Sequence, residues 1–277
     1  MELAPGWTTI VACPVGGRDV VLFYDQLTGN ALTVYIDLAG VGIPLRTFTL
    51  SPGWSNIVFC NRYLLFFNDS TGVAAIGNIR RDGWFEQSAA VAPLGPGRAI
   101  IVSDAHHLLI GRGDTELVCR LVDDKLGRNP KIKILGQHRL SLYASFWNAI
   151  WVAGREMIVA YSVSYREEAS YLFMWIDAAA ETQVLQPWTE TDPNWTTIVL
   201  SNGYILFYDE GIGGGKIVTG SPDYILDYEP WRPANIQANW SHIIPVGTRL
   251  LFYAQYNGLV RLGHISPDGE FSGEIKL

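Results

Sequence analysis

The stretch PGWSNIVFCNRYLLFFNDSTGVAAIGNIRRDGWF, residues 52–85, decides the fold. It opens on a Gly53-Trp54-Ser55 turn, enters an apolar run at 57–60 and breaks at Asn61-Arg62. A second apolar run, 63–68, ends in the polar turn Asp69-Ser70-Thr71-Gly72. A third covers 73–79, and Arg81-Asp82-Gly83 turns the chain into a fourth around Phe85. Runs of four to eight β-branched and aromatic residues, separated by Asn, Asp, Gly and Ser clusters, are antiparallel strands joined by hairpins. The stretch therefore predicts a four-stranded meander.

The rest of the chain repeats it. Gly6-Trp7-Thr8-Thr9-Ile10-Val11 leads to Leu22-Phe23-Tyr24-Asp25, and Trp147-Asn148-Ala149-Ile150 leads to Ile158-Val159-Ala160-Tyr161. Trp195-Thr196-Thr197-Ile198-Val199 precedes Ile205-Leu206-Phe207-Tyr208-Asp209, and Trp240-Ser241-His242-Ile243-Ile244 precedes Leu250-Leu251-Phe252-Tyr253. A worn copy, Gly97-Arg98-Ala99-Ile100-Ile101-Val102, carries Arg98 in the Trp position. The key positions are 7, 54, 98, 147, 195 and 240, spaced 47, 44, 49, 48 and 45 residues apart. A period in the forties with four strands per repeat is the pattern of a β-propeller. The expected fold is all-β: one six-bladed propeller over 1–277, its blades four-stranded and antiparallel, its ring closed by the chain termini. Closure is expected from segment 1–4 or segment 273–277 completing the outer edge of a blade. Runs 20–24 and 63–67 are apolar at every position, as strands covered on both faces must be.

Composition narrows the function classes. The 277 residues are 48% hydrophobic and 12% aromatic, enough to build a core without metal or disulfide staples. A formal net charge of -7 argues against nucleic acid, which requires a basic face. No apolar run reaches membrane-span length, and no signal-peptide pattern opens the chain, so a cytoplasmic protein is expected. Cys13 and Cys60 each lie six residues after their Trp, and Cys119 falls in a third strand; all three read as small buried hydrophobes.

Two features recur at the start of each repeat. The first is Trp followed by Ser or Thr. It reads either as an indole packed between sheets above a hydroxyl that caps the turn, or as an indole that stacks on a sugar. The second is the position two residues after the Trp, occupied by Thr9, Asn56, Ile100, Ala149, Thr197 and His242. The apolar skeleton is kept from copy to copy while this position drifts, which favours one or a few unlike sites over identical ones.

Other candidates are weaker. Asp104-Ala105-His106-His107, with Asp114 nearby, could suggest a metal, but neighbours on a strand point to opposite faces and no second His cluster is spaced to help. His138 and His264 are singletons. Asp209, Glu210, Asp223, Asp227 and Glu229 read as a solvated edge rather than a cation site. The run Gly211-Ile212-Gly213-Gly214-Gly215-Lys216 fails the phosphate-loop pattern, because Ile217 stands where Ser or Thr is required, and it reads as a turn. Arg112-Gly113-Asp114 reads as a hairpin tip. No metal and no cofactor is expected.

The block Pro52-Gly53-Trp54-Ser55-Asn56-Ile57-Val58-Phe59 with Leu64-Leu65-Phe66-Phe67 resembles the repeat of tachylectin-2-like propeller lectins, over the two inner strands of five of the six repeats. That resemblance implies binding of N-acetylated amino sugars between blades. The leading expectation is thus a carbohydrate-binding propeller, monomeric or weakly oligomeric. Its ligand contacts would come from Trp7, Trp54, Trp147, Trp195, Trp240, Asn56 and His242 and from loops 68–71, 162–169, 209–215 and 255–257. The alternative is an isomerase, lyase or cyclase with a single pocket at the channel mouth and His242 as its acid. A third reading is a protein-binding scaffold with an exposed apolar patch on one rim.

Overall fold

The structure, a computed structural model, describes the backbone of residues 3–91, 100–103, 108–112, 115–122, 130–139, 147–152, 157–163, 169–176, 182–188, 195–219 and 232–276. Side chains are described at 3–88, 108, 110, 130–133, 195–219 and 232–273. Among these residues every regular element is a strand.

Sheet 1 is built from β1 (Thr9–Ala12), β2 (Asp19–Tyr24), β3 (Asn30–Ile36) and β4 (Gly42–Thr49). Sheet 2 comprises β5 (Asn56–Cys60), β6 (Tyr63–Phe67), β7 (Ala74–Ile79) and β8 (Phe85–Val91), and sheet 3 comprises β9 (Ile100–Ser103), β10 (Leu108–Arg112), β11 (Thr115–Val122) and β12 (Lys131–Arg139). Sheet 4 holds β13 (Trp147–Val152), β14 (Met157–Val163), β15 (Ala169–Ile176) and β16 (Thr182–Trp188). Sheet 5 holds β17 (Thr197–Ser201), β18 (Tyr204–Tyr208), β19 (Gly215–Thr219) and β20 (Arg232–Ala234), and sheet 6 holds β21 (His242–Val246), β22 (Arg249–Ala254), β23 (Leu259–Ile265) and β24 (Phe271–Lys276). Each sheet is an antiparallel meander whose spatial order is its chain order. The described residues thus contain six such sheets, one per repeat, with β5 to β8 falling where the 52–85 stretch places its strands.

Contacts divide the chain into two compact units, one of residues 1–52, 81–84 and 194–277, the other of residues 53–80 and 85–193. In the first, sheet 6 lies between sheets 5 and 1. One apolar cluster joins Leu251, Tyr253, Val260 and Leu262 of sheet 6 to Trp7, Val21, Phe23 and Val34 of sheet 1. Another joins Leu250, Phe252 and Ile265 of sheet 6 to Leu206, Tyr208 and Ile217 of sheet 5. Second strands are buried along almost their whole length, which is why β2, β18 and β22 read as unbroken apolar runs. The first strands β17, β21 and β1 lie side by side, so the three sheets converge there. In the second unit, Leu65, Phe67 and Ile76 of sheet 2 pack with Leu108 and Ile110 of sheet 3.

The connectors of the first unit follow one rule. The Tyr at the end of each second strand, or one place short of it, holds the segment leading to the next sheet's Trp. Tyr24 donates its hydroxyl to the Ser51 carbonyl at 2.9 Å, Tyr208 to Gln237 at 2.9 Å and Tyr253 to Ala4 at 3.2 Å. These acceptors stand three residues before Trp54, Trp240 and Trp7. The same hydroxyls of Tyr208 and Tyr253 accept the backbone N–H of Trp240 (3.0 Å) and Trp7 (3.2 Å). Residues 3–7 therefore dock on sheet 6 as the covalent connectors dock on sheets 1 and 5, and the first and last sheets of the chain are neighbours. The outer edge of sheet 6 is its own β24, so the C-terminal segment, not the N-terminal one, completes it.

Cys13 and Cys60 are buried, and burial pushes the Cys13 pKa up to about 12. Among the described residues no helix is long and apolar enough to cross a membrane.

Candidate functional site

The hydroxyl after each Trp has a fixed architectural job. In sheet 5, Thr196 Oγ1 donates to the Tyr208 carbonyl (3.2 Å) and accepts the Glu210 N–H (2.9 Å). The same pair of bonds links Thr8 to Tyr24 and Gln26, Ser55 to Phe67 and Asp69, and Ser241 to Tyr253 and Gln255. Each hydroxyl thereby ties the start of the first strand to the turn that leaves the second. Asp25, Asn68 and Asp209 cap those turns from within, accepting the N–H of Leu27, Ser70 and Gly211.

The indoles are core residues. Trp7, Trp195 and Trp240 are 8%, 7% and 2% exposed. They lie over Phe23, Phe207 and Phe252 with ring centroids 6.2, 6.0 and 5.7 Å apart. Trp54 is half-buried over Phe66 at 5.7 Å. Burial leaves Trp7, Trp195 and Trp240, expected as stacking platforms, little exposed ring surface. Packing against the Phe two places before the end of the second strand, or one place before it, is what turns them inward. The side chain of Trp147 lies outside the described residues, as do Arg98, Ala149, Cys119, His138, Asp223, Asp227, Glu229 and the stretch 104–107.

The positions two after the Trp behave differently. Thr9, Thr197 and His242 are half-buried and enter the three converging strands of the first unit at the same end, each paired in register with the Tyr at the end of its second strand, or one place short of it. His242 is the distinctive member. Its Nε2 lies 3.1 Å from the Thr8 carbonyl oxygen, and its Nδ1 lies 3.2 Å from Ser241 Oγ. A carbonyl only accepts, so Nε2 carries the proton and Nδ1 of the neutral ring is an acceptor. Burial holds the imidazole below its usual pKa, with the Thr8 carbonyl pulling the other way. The ring is therefore kept neutral at pH 7.

Glu210 and Gln255 fall in the loops 209–215 and 255–257 that the sequence offered as ligand contacts, whereas Gln26 was not singled out; the shared hydroxyl bonds tie all three to the starts of the first strands. All three are half-buried, whereas the next residue in each turn is exposed. The signal that could have found all three is their constant place, two residues past the Tyr of each second strand. The turns of Gln26, Glu210 and Gln255 therefore stand at the same end of the convergence as Thr9, Thr197 and His242. In the second unit, Asn56 donates to Asp69 Oδ1 at 3.2 Å, an equivalent pairing of strand and turn. Among the described residues no group of three or more His, Cys, Asp and Glu is placed to hold a metal ion.

No family model and no curated protein matches the chain. Solved structures match in fold. A putative 6-phosphogluconolactonase from Bacteroides fragilis superposes with a TM-score of 0.57 over 93% of this chain and 81% of its own, at 12% identity. The periplasmic gluconolactonase of Pseudomonas aeruginosa gives 0.55 over 96% and 84%, also at 12% identity. A chain of a nidogen–laminin complex gives 0.58 over 94% of both chains at 10% identity. The fold is a propeller-type array of four-stranded antiparallel sheets. Identities this low carry the fold and nothing beyond it.

Proposed function

We propose that the six sheets close into a single six-bladed propeller and that the chain is an enzyme acting on one small, sugar-derived lactone where its first strands converge. The observation that carries this reading is His242, a neutral imidazole fixed by its Nε2 donor at the strand ends where the turns of Gln26, Glu210 and Gln255 are tied down. Burial of the repeat indoles supports a single site over several equivalent sugar sites. Two fold neighbours bear gluconolactonase names, which suggests the substrate class to test first.

In such a reaction water adds to the lactone carbonyl, and the proton it sheds is accepted at Nδ1 of His242. The ring C–O bond then breaks, and the departing alkoxide takes that proton to leave an open-chain hydroxy acid. The Thr8 carbonyl, accepting from Nε2–H, holds the ring in the required tautomer with Nδ1 unprotonated. Thr9, Thr197, Gln26, Gln255 and Glu210 offer the donors and acceptors that sugar hydroxyls need.

Acid release from glucono-1,5-lactone and from 6-phosphogluconolactone, followed by pH-stat against the spontaneous rate, tests the reading. The full chain is expected to accelerate at least one of them, and His242→Gln to abolish that acceleration while keeping the fold. No acceleration of either lactone sinks the lactone reading. Several equivalents of an amino sugar bound per chain would revive the repeated-site lectin.

A further inference from the structure

We infer that Tyr256, rather than the repeat tryptophans, is the aromatic platform on which a pyranose ring of the ligand stacks; this rests on the single-site reading above. Tyr256 is 70% exposed. It follows Gln255, whose N–H is held by Ser241 Oγ at 2.8 Å, and Ser241 in turn touches His242. The turn that carries the exposed ring thus leaves sheet 6 at the same end as His242.

Its backbone is not free to move with it. The Gln255 carbonyl accepts the Gly6 N–H at 3.0 Å, Gly258 donates to Ala254 at 2.9 Å, and Leu259 donates to Asn257 Oδ1 at 2.9 Å. Leu3 donates to the Gly258 carbonyl at 3.1 Å, so the N-terminal segment clamps the far side of the turn. An aromatic ring presented from a fixed turn gives contact area at low entropic cost, because only two side-chain torsions remain to be ordered. The flanking Gln255 and Asn257 amides can bond the equatorial hydroxyls at the edge of a ring that lies on Tyr256.

The feature is single. The equivalent turn positions on sheets 1, 2 and 5 are Leu27, Ser70 and Gly211, so among the four described turns only sheet 6 offers an aromatic there. One platform at the same end of the sheet as one histidine predicts one ligand per chain, with the lactone carbonyl directed to His242 and the apolar C–H face of the sugar on Tyr256.

Calorimetry with glucono-1,5-lactam, a neutral and hydrolysis-resistant mimic, decides the matter on the full chain and its variants. One site per chain is expected, with binding about tenfold weaker in Tyr256→Ala and within about twofold of the parent in Tyr256→Phe, as expected of stacking. Because the side chain is exposed, both variants should keep the parental unfolding midpoint. Unchanged binding in Tyr256→Ala, equal losses in the Ala and Phe variants, several sites, or no lactam binding would each overturn the platform. Lactam binding that depends on Tyr256 without any acid release would overturn the hydrolase and leave the platform standing. Acid release with an unchanged KM in Tyr256→Ala would do the reverse.

Discussion

The backbone N–H of Trp7 donates to the hydroxyl of Tyr253 at 3.2 Å, across 246 positions of sequence. The same bond joins Trp240 to Tyr208 at 3.0 Å, across 32 positions, between sheets that follow one another in the chain. The junction of the last sheet with the first therefore uses the chemistry of an ordinary junction without the peptide chain to enforce it, and it should be the more sensitive of the two to loss of the hydroxyl.

Tyr253→Phe removes the partner of a buried N–H and is expected to cost about 1–3 kcal/mol in urea unfolding. Tyr208→Phe, with its covalent tether intact, should cost less. Burial also holds the Tyr253 phenol above its ordinary 10.0. A raised acid pKa means that the folded state keeps the proton after the unfolded chain has lost it, so the parent should lose stability as pH rises past about 10. Tyr253→Phe should lose less over that range. Equal costs for the two Phe variants would remove the distinction between the junctions.

Gly258 separates close approach from backbone strain. Its φ is +71°, and a Cβ built on it would collide with the Leu3 carbonyl oxygen, whereas Gly203, at +79°, would meet nothing. Gly203→Ala should cost about 1 kcal/mol for left-handed backbone alone. Gly258→Ala should cost clearly more, since residues 3–6 must also lift from sheet 6. Comparable unfolding midpoints for the two variants would show that the segment yields freely.

The indoles offer a third test. Trp195 is 7% exposed and its Nε1 is buried with no hydrogen-bond partner among the described residues, as is that of Trp7. Trp195→Ala is expected to cost about 3–5 kcal/mol, the usual loss for emptying so large a volume. Trp195→Phe should recover most of this, because it removes an unpaired donor along with the lost volume. A Phe variant as unstable as the Ala variant would argue that the N–H has a partner in solution.

These residues also mark what the sequence could reveal. The six repeats and the meander within each were legible because strand periodicity and turn chemistry are local, and 63–67 reads as buried on sight. Whether Trp195 faces a ligand or the core was not legible: Trp followed by a hydroxyl fits both, and the choice is made by Phe207, twelve residues away and across a hairpin. The role of Tyr253 lay further off still. Its recurrence in Tyr24 and Tyr208 was visible, but its partners Ala4 and Trp7 are set by the docking of sheet 6 on sheet 1. For the site, Thr9, Thr197 and His242 emerged from repeat alignment and Glu210 and Gln255 from the loops 209–215 and 255–257, whereas Gln26, and the common tie of all three turns to the first strands, required the hydroxyl bonds.

His242 supplies the last test, in the acid range. Its pKa lies below the ordinary 6.5 because burial penalises the imidazolium. Below about 6.5 the unfolded chain therefore takes up a proton that the folded chain refuses, so the stability present above that pH should decline as pH falls toward the folded pKa. His242→Gln keeps a side-chain N–H able to reach the Thr8 carbonyl but does not titrate. Its unfolding free energy is expected to fall less steeply than the parent's between about pH 6.5 and 5, the difference isolating one proton. If the hydrolase reading is right, lactone turnover should follow the neutral imidazole and drop in acid with an apparent pKa below 6.5. Parallel stability curves for the parent and His242→Gln would mean that the ring is solvated enough to charge freely, and would remove the buried neutral histidine from which the proposed chemistry starts.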